Sequence, residues 1–345
     1  MKKPIAVLIT DTHITDHNID LVKSSFKQLV DTCKKIDCST VFHLGDWFTT
    51  RTGQSQNVLL ASKEILDFLV HKKIELTIIP GNHDKLNYVS ELSYLHLFHF
   101  VDKIGNYLHK EQENKKIVFH FIPFFSDSEY KKRLLEAYQT IKTVYNLTNK
   151  KHVLFTHIGI EGMLNNDKIK IESELKKDLF SVFDAVFVGH YHDFQAKGNI
   201  TYIGSDKASN FGENNDKGCA IVYDDLSFEC ITFDFPHYDT YYIDIEELTQ
   251  NKINALKKEK ESNNSNIRVI ITGNETKIQN FNKNILLDLG INCVKQLNNE
   301  KIDILDKTDN FQIFDKSVII SEFNEFCKKN KLNYDFGKKY LDKVL

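Results

Sequence analysis

Up to Phe235 the chain repeats one pattern: a short apolar run, a polar turn, then an amphipathic stretch. Ile5-Ala6-Val7-Leu8-Ile9 reads as a strand buried on both faces, and Asp11-Thr12-His13 follows it. Residues 18–36 place Ile19, Val22, Phe26, Leu29, Val30 and Cys33 at helical spacing. Val41-Phe42-His43-Leu44 predicts the next strand, ending in Gly45-Asp46, and residues 57–70 the next helix, with Leu60, Ile65, Leu66 and Leu69 on its apolar face. Leu76-Thr77-Ile78-Ile79 runs into Pro80-Gly81-Asn82-His83-Asp84. Later strands are expected over 117–122, 153–156 and 185–188, the second leading into His157 and the third into Gly189-His190-Tyr191-His192.

From about residue 194 strands follow one another closely, over 200–203, 219–223 and 228–233. Alternation followed by strand-rich sequence predicts an α/β domain over residues 1–235, with two stacked sheets between helices. Phe235-Pro236-His237 reads as a hinge. Beyond it, strands at 241–245, 268–272 and 291–296 alternate with helices at 246–260 and 275–289, a small second α/β domain over 238–312. Residues 261–266 read as a solvated connector. Residues 315–345 read as a helical tail with Ile319, Phe323, Phe326 and Cys327 on one stripe.

The length of 345 residues suits two domains. Lys+Arg 45 against Asp+Glu 48 gives 45 − 48 = −3, so no global basic field draws in nucleic acid. No apolar run reaches the ~20 residues of a membrane helix, and the stretch after Met1-Lys2-Lys3-Pro4 is too short for a signal peptide. Six cysteines without a CxxC pair suggest free thiols in a reducing cytoplasm. The expectation is a soluble cytoplasmic protein.

Five polar clusters sit directly after expected strands: Asp11-x-His13, Gly45-Asp46, Gly81-Asn82-His83-Asp84, His157 and Gly189-His190-x-His192. In open α/β sheets the carboxyl ends of strands share one edge, where ligands bind. The residue types are carboxylate, imidazole and carboxamide without thiolate, which favours Mn²⁺, Fe²⁺ or Zn²⁺ over a cysteine-rich structural site. Any one of these motifs is common. Five in this order point to a convergent site with ligands enough for two ions, and two ions about 3.5–4 Å apart can clamp a phosphoryl group during in-line displacement.

The order D-x-H, G-D, G-N-H-D, H, G-H-x-H resembles the signature of the calcineurin-like metallophosphoesterases over residues 5–235. The resemblance implies a four-layer α-β-β-α sandwich and a ligand assignment. Asp11, His13, Asp46 and His192 would hold one metal, and Asp46, Asn82, His157 and His190 the other, with Asp46 bridging. His83, left without a metal, would donate a proton to the leaving oxygen, with Asp84 orienting its ring.

Within that superfamily, Tyr202-Ile203-Gly204-Ser205, Asn210-Phe211-Gly212-Glu213 and Lys217-Gly218-Cys219-Ala220-Ile221 are similar to the segment after G-H-x-H in SbcD-type DNA nucleases. Gly45-Asp46-Trp47-Phe48 and Ile122-Pro123-Phe124 also look like that branch, and the compact size like its phage recombination-endonuclease subunits. The resemblance implies a two-metal DNA exonuclease or endonuclease of break processing, recombination and repair, with Mn²⁺ favoured and Mg²⁺ another candidate. It also implies that the second α/β domain is a capping domain over the DNA-binding cleft, a coiled-coil SbcC-type ATPase partner docked by the tail, a homodimer within the complex, and the cytoplasm of a bacterial or phage-infected cell. Thr49 stands where many cellular members carry a histidine that handles duplex, which puts exonuclease efficiency in question. Arg51, five residues past Asp46, is the best-placed phosphate contact, whereas Lys34-Lys35, Lys72-Lys73, Lys131-Lys132-Arg133 and Lys150-Lys151 read as solvated element ends. Two alternatives stand beside this reading: a phosphodiesterase or phosphatase acting on a small or protein substrate, and a non-catalytic scaffold.

Overall fold

Alternating apolar runs and amphipathic stretches become strands and helices in the expected order. The computed structural model describes residues 2–98, 102–112, 116–145, 150–263 and 265–296, together with Phe323, Cys327 and Tyr334. The chain runs β1 (Pro4–Ile9), α1 (Ile19–Lys35), β2 (Thr40–His43), α2 (Gln56–His71), β3 (Glu75–Ile78), β4 (Asp102–Lys103), β5 (Leu108–Glu111) and β6 (Ile117–Ile122). It continues with α3 (Asp127–Thr143), β7 (Lys151–His157), β8 (Ala185–Gly189), β9 (Gln195–Lys197), β10 (Ile200–Tyr202), β11 (Gly218–Tyr223) and β12 (Phe228–Thr232). Then come β13 (Tyr238–Asp244), α4 (Gln250–Asn263), β14 (Asn266–Thr272), α5 (Glu275–Asn280), α6 (Asn284–Leu287) and β15 (Asn292–Lys295).

Two six-stranded sheets, ordered β12-β11-β1-β2-β3-β4 and β5-β6-β7-β8-β10-β9, lie face to face. Between them Phe42 meets Phe119, Phe121 and Phe155 edge-on, with ring centroids 4.8–5.4 Å apart. The other face of the first sheet buries Val22, Phe26, Leu29 and Val30 of α1 and Ile65, Leu66 and Leu69 of α2. The outer face of the second buries Tyr130, Leu134, Ala137 and Ile141 of α3. The layers are therefore helix, sheet, sheet, helix. Ser55 caps α2 by accepting the Val58 N–H at 3.2 Å, and Lys34 and Lys35 close α1 at the negative end of its dipole.

A third, parallel sheet β13-β14-β15 has its own core of Ile243, Leu256, Val269, Ile271, Ile278 and Leu286 among others. Here the expected elements shift. The helix expected from 246 starts at Gln250 and runs into the supposed connector, to Asn263, while the one expected over 275–289 divides around residues 281–283. Helix α3 was not expected at all, so Lys131, Lys132 and Arg133 lie inside a helix instead of at an element end. There Arg133 pairs with Glu129 and stacks on Phe125 at 4.0 Å. Ile319 and Phe326 of the tail stripe, with the boundaries at 312 and 315, lie outside the described residues. All six cysteines are free thiols. Among the described residues no helix is long and apolar enough to cross a membrane.

Candidate metal centre

Each sheet contributes the carboxyl ends of its central strands to one edge. β1 delivers Asp11 and His13, β2 Asp46, β3 Asn82 and His83, β7 His157, and β8 His190 and His192. Main-chain hydrogen bonds lock the first two turns together: Asp11 N–H to the Gly45 carbonyl and His13 N–H to that of Asp46, both at 3.0 Å. Gly45 has φ +101°, and a side chain on Gly81 would collide with the Asp46 carboxylate. One glycine is needed for its backbone angle, the other for close approach.

Two groups of candidate ligand atoms result, Asp11-His13-His192 and Asp46-His157-His190, each with its atoms within 4.8 Å of one another. Asp46 Oδ2 lies 3.3 Å from His157 Nε2 and 3.7 Å from His13 Nε2, so one oxygen faces both groups. Asn82 Oδ1 approaches His190 Nδ1 at 2.8 Å and His157 Nε2 at 3.1 Å. His192 Nε2 and His13 Nε2 are 3.3 Å apart. Imidazole nitrogens that close suit a shared cation.

The outer contacts of the rings fix their tautomers. His157 Nδ1 donates to the Leu44 carbonyl at 2.7 Å and His192 Nδ1 to Glu213 Oε1 at 3.0 Å. Both leave Nε2 as the basic atom turned inward. Asp11 Oδ1 is buried without a hydrogen-bond partner, although Oδ2 accepts from Thr10 and from the His190 N–H. A buried carboxylate oxygen left bare at this point fits a bound cation. The donor set is oxygen and nitrogen throughout, as hard or borderline divalent ions require.

Burial opposes charge on Asp46, yet His157 beside it holds the carboxyl well below the usual carboxylate range. Burial would lower His157 too, but Asp46 raises it to about 9. Burial, with His157 adding to it, takes His190 down to about 3, and burial takes His13 well below the usual imidazole value. Burial raises Asp11.

The backbone is held in an uncommon state here. Asp11 (φ +53°), His13 (+45°), Asp46 (+56°) and His190 (+94°) all sit at positive φ, where non-glycine residues are strained.

His83 lies at the mouth, its ring 4.9 Å from that of His13. The orienting contact expected from Asp84 is replaced by another. Asp84 accepts the backbone N–H groups of Gly81, Phe48 and Trp47 at 2.8, 3.0 and 3.3 Å, binding two ligand turns together. The His83 ring instead donates from Nδ1 to the Thr49 carbonyl. Burial and the neighbouring Asp46 push Asp84 up to about 6. Arg51 lines the same cleft, its guanidinium 5.1 Å over the Tyr88 ring. The cleft encloses about 460 Å³. His43 sits beneath it, bonded to Thr12 Oγ1 at 2.8 Å, while His17 is exposed. Glu213, although it closes the Asn210-Phe211-Gly212-Glu213 stretch, and Lys207 received no role from the sequence, because only the folded loop brings each to a ligand turn.

The calcineurin-like phosphoesterase family model matches residues 6–223. The chain belongs to this family. Calcineurin-like phosphoesterases use a dinuclear metal site, and the two groups above are where this member offers ligands for one. Exonuclease subunit 1 of Enterobacteria phage T4 is 23% identical over 265 residues, covering 74% of this chain and 71% of that protein. Among solved structures, the calcineurin-like phosphoesterase YfkN from Bacillus subtilis is similar at TM-score 0.39 and 14% identity, covering 67% of this chain and 89% of that one. A dimetal phosphatase from Danio rerio is similar at TM-score 0.40 and 12% identity, covering 64% and 93%.

Proposed function

We propose that this phosphoesterase is a two-metal DNA exonuclease or endonuclease, the nuclease subunit of an SbcC/SbcD-type complex for break processing, recombination and repair. The observation that carries the chemistry is Asp46 Oδ2 facing His13 and His157 at once, which is what a carboxylate shared by two ions requires. DNA as substrate rests on the likeness to the phage T4 exonuclease subunit.

In this reading Asp11, His13, Asp46 and His192 hold one ion, and Asp46, Asn82, His157 and His190 the other, with Mn²⁺ the favoured metal. The pair supplies Lewis-acid stabilisation of charge on the reacting phosphate. His83 donates its Nδ1 proton to the Thr49 carbonyl, which leaves Nε2 free for the leaving oxygen; as the imidazolium, the ring would give that oxygen its Nε2 proton. Arg51 meets the flanking phosphate. The third sheet forms the capping domain, and the tail docks an SbcC-type ATPase within a homodimeric complex.

The test is incubation with Mn²⁺ and end-labelled single- and double-stranded DNA, with and without the ATPase and a chelator. Metal-dependent cleavage is expected. Cleavage by a metal-free preparation ends the two-metal reading, and hydrolysis of simple phosphate esters with intact DNA moves the substrate to a small molecule or phosphoprotein.

A further inference from the structure

The two groups of ligands are supported differently. Strand ends alone hold Asp46, Asn82, His157 and His190: His157 is fully buried and bonded to the Leu44 carbonyl, and Asp46 Oδ1 accepts the His83 N–H at 2.8 Å. Asp11, His13 and His192 depend in addition on one loop, residues 205–217. Lys207 Nζ donates to the Thr12 carbonyl, between Asp11 and His13, and is paired with buried Asp206 at 2.9 Å. Lys217 Nζ donates to the His192 carbonyl. Glu213, its side chain 5% exposed, bonds the His192 ring.

Glu213 is itself held. Its Oε1 accepts from Ser209 Oγ at 2.7 Å and from Asn210 Nδ2 at 2.9 Å. Between these residues and Lys217 the loop reaches the third sheet. The Arg268 guanidinium of β14 stacks 4.7 Å over the Phe211 ring. Asn215 accepts the Tyr238 N–H at 2.9 Å and donates to Asp239 at 3.2 Å, both at the start of β13.

We propose that Glu213 is a positioning residue for the ion held by Asp11, His13 and His192, and that loop 205–217 ties the filling of this site to the seating of the third sheet. The inference rests on the two-ion reading. A carboxylate on the far nitrogen of a ligating imidazole fixes its tautomer and raises its basicity, and losing such a contact typically costs about 10–100-fold in metal affinity. Glutamine at 213 keeps the size but brings no charge. Loosening Phe211 frees the loop from β14 and weakens the same ion through the same carboxylate.

The experiment titrates Mn²⁺ into the full chain by calorimetry, with the spin-coupled two-Mn²⁺ resonance as a second readout. The unaltered protein should bind two equivalents. Glu213→Gln should weaken one equivalent about 10–100-fold, remove the coupled signal at low Mn²⁺ and leave the other equivalent unchanged. Phe211→Ala, at a half-buried surface position, should weaken that same equivalent and serves also if Glu213→Gln does not fold. Two equivalents in the unaltered protein with neither variant affected, or with both equivalents falling together, overturns the inference alone. Glu213→Gln acting without Phe211→Ala overturns the link to the third sheet. Fewer than two equivalents in the unaltered protein overturns the two-ion reading, and the inference with it.

Discussion

The His83 N–H donates to Asp46 Oδ1 at 2.8 Å, so the turn carrying the proposed acid holds the Asp46 carboxylate in place and leaves Oδ2 to face both ligand groups. Asp46→Asn keeps an acceptor for that N–H but loses the negative charge both ions need. It should weaken both Mn²⁺ equivalents, each by more than the roughly 10–100-fold that outer contacts carry. His192→Ala should weaken chiefly one. Calorimetric titration of the two variants side by side checks the contrast.

Replacing His83 separates chemistry from metal loading. His83→Ala should lower kcat by about 10²–10⁴-fold, the usual worth of a general acid, with Mn²⁺ affinity retained. Thr49→Ala should change kcat little, because the ring is oriented by the main-chain carbonyl of residue 49. Equal losses of metal in His83→Ala and His157→Ala would make His83 a ligand.

Arg51→Ala should raise KM for DNA and reduce the slope of log affinity against log salt by about 1, the share of one phosphate contact. A fall in kcat with unchanged salt dependence would place Arg51 on the reacting group instead.

Away from the cleft, His120 is fully buried, bonded to His152 Nδ1 at 2.9 Å and to the Tyr107 hydroxyl at 3.0 Å. Burial, reinforced by His152, takes it down to about 3. Since the unfolded chain binds this proton near pH 6.5, the unfolded state takes up more protons below that value. Stability from this group is therefore present at neutral pH and falls as pH drops from about 6.5 towards 3. His120→Gln should melt lower than the unaltered protein at pH 7.5, yet lose less on moving to pH 5.

The strand ends were legible because an apolar run followed by Asp, His or Gly-Asn-His is a local signal. Helix α3 was missed although Tyr130, Leu134, Ala137 and Ile141 fall on one face, since Lys131-Lys132-Arg133 reads as a solvated element end instead of the residues between two stripe positions of one helix. The contact made by Asp84 could not be read from position: the residue beside His83 turns its carboxylate onto the backbone of residues 47 and 48, and sequence adjacency says nothing of side-chain direction. Glu213 lies 21 residues from the ring it holds, a pairing only the folded loop creates.

Positive φ at Asp11, His13, Asp46 and His190 sets survival against heat in opposition to catalysis. Such conformations cost about 1–3 kcal/mol each for side-chain-bearing residues and little for glycine. A library of variants ranked only by resistance to unfolding would therefore enrich His13→Gly and His190→Gly, discarding two imidazoles of the proposed metal centre. Any attempt to toughen this enzyme must leave those turns uncomfortable and find its gains elsewhere in the chain.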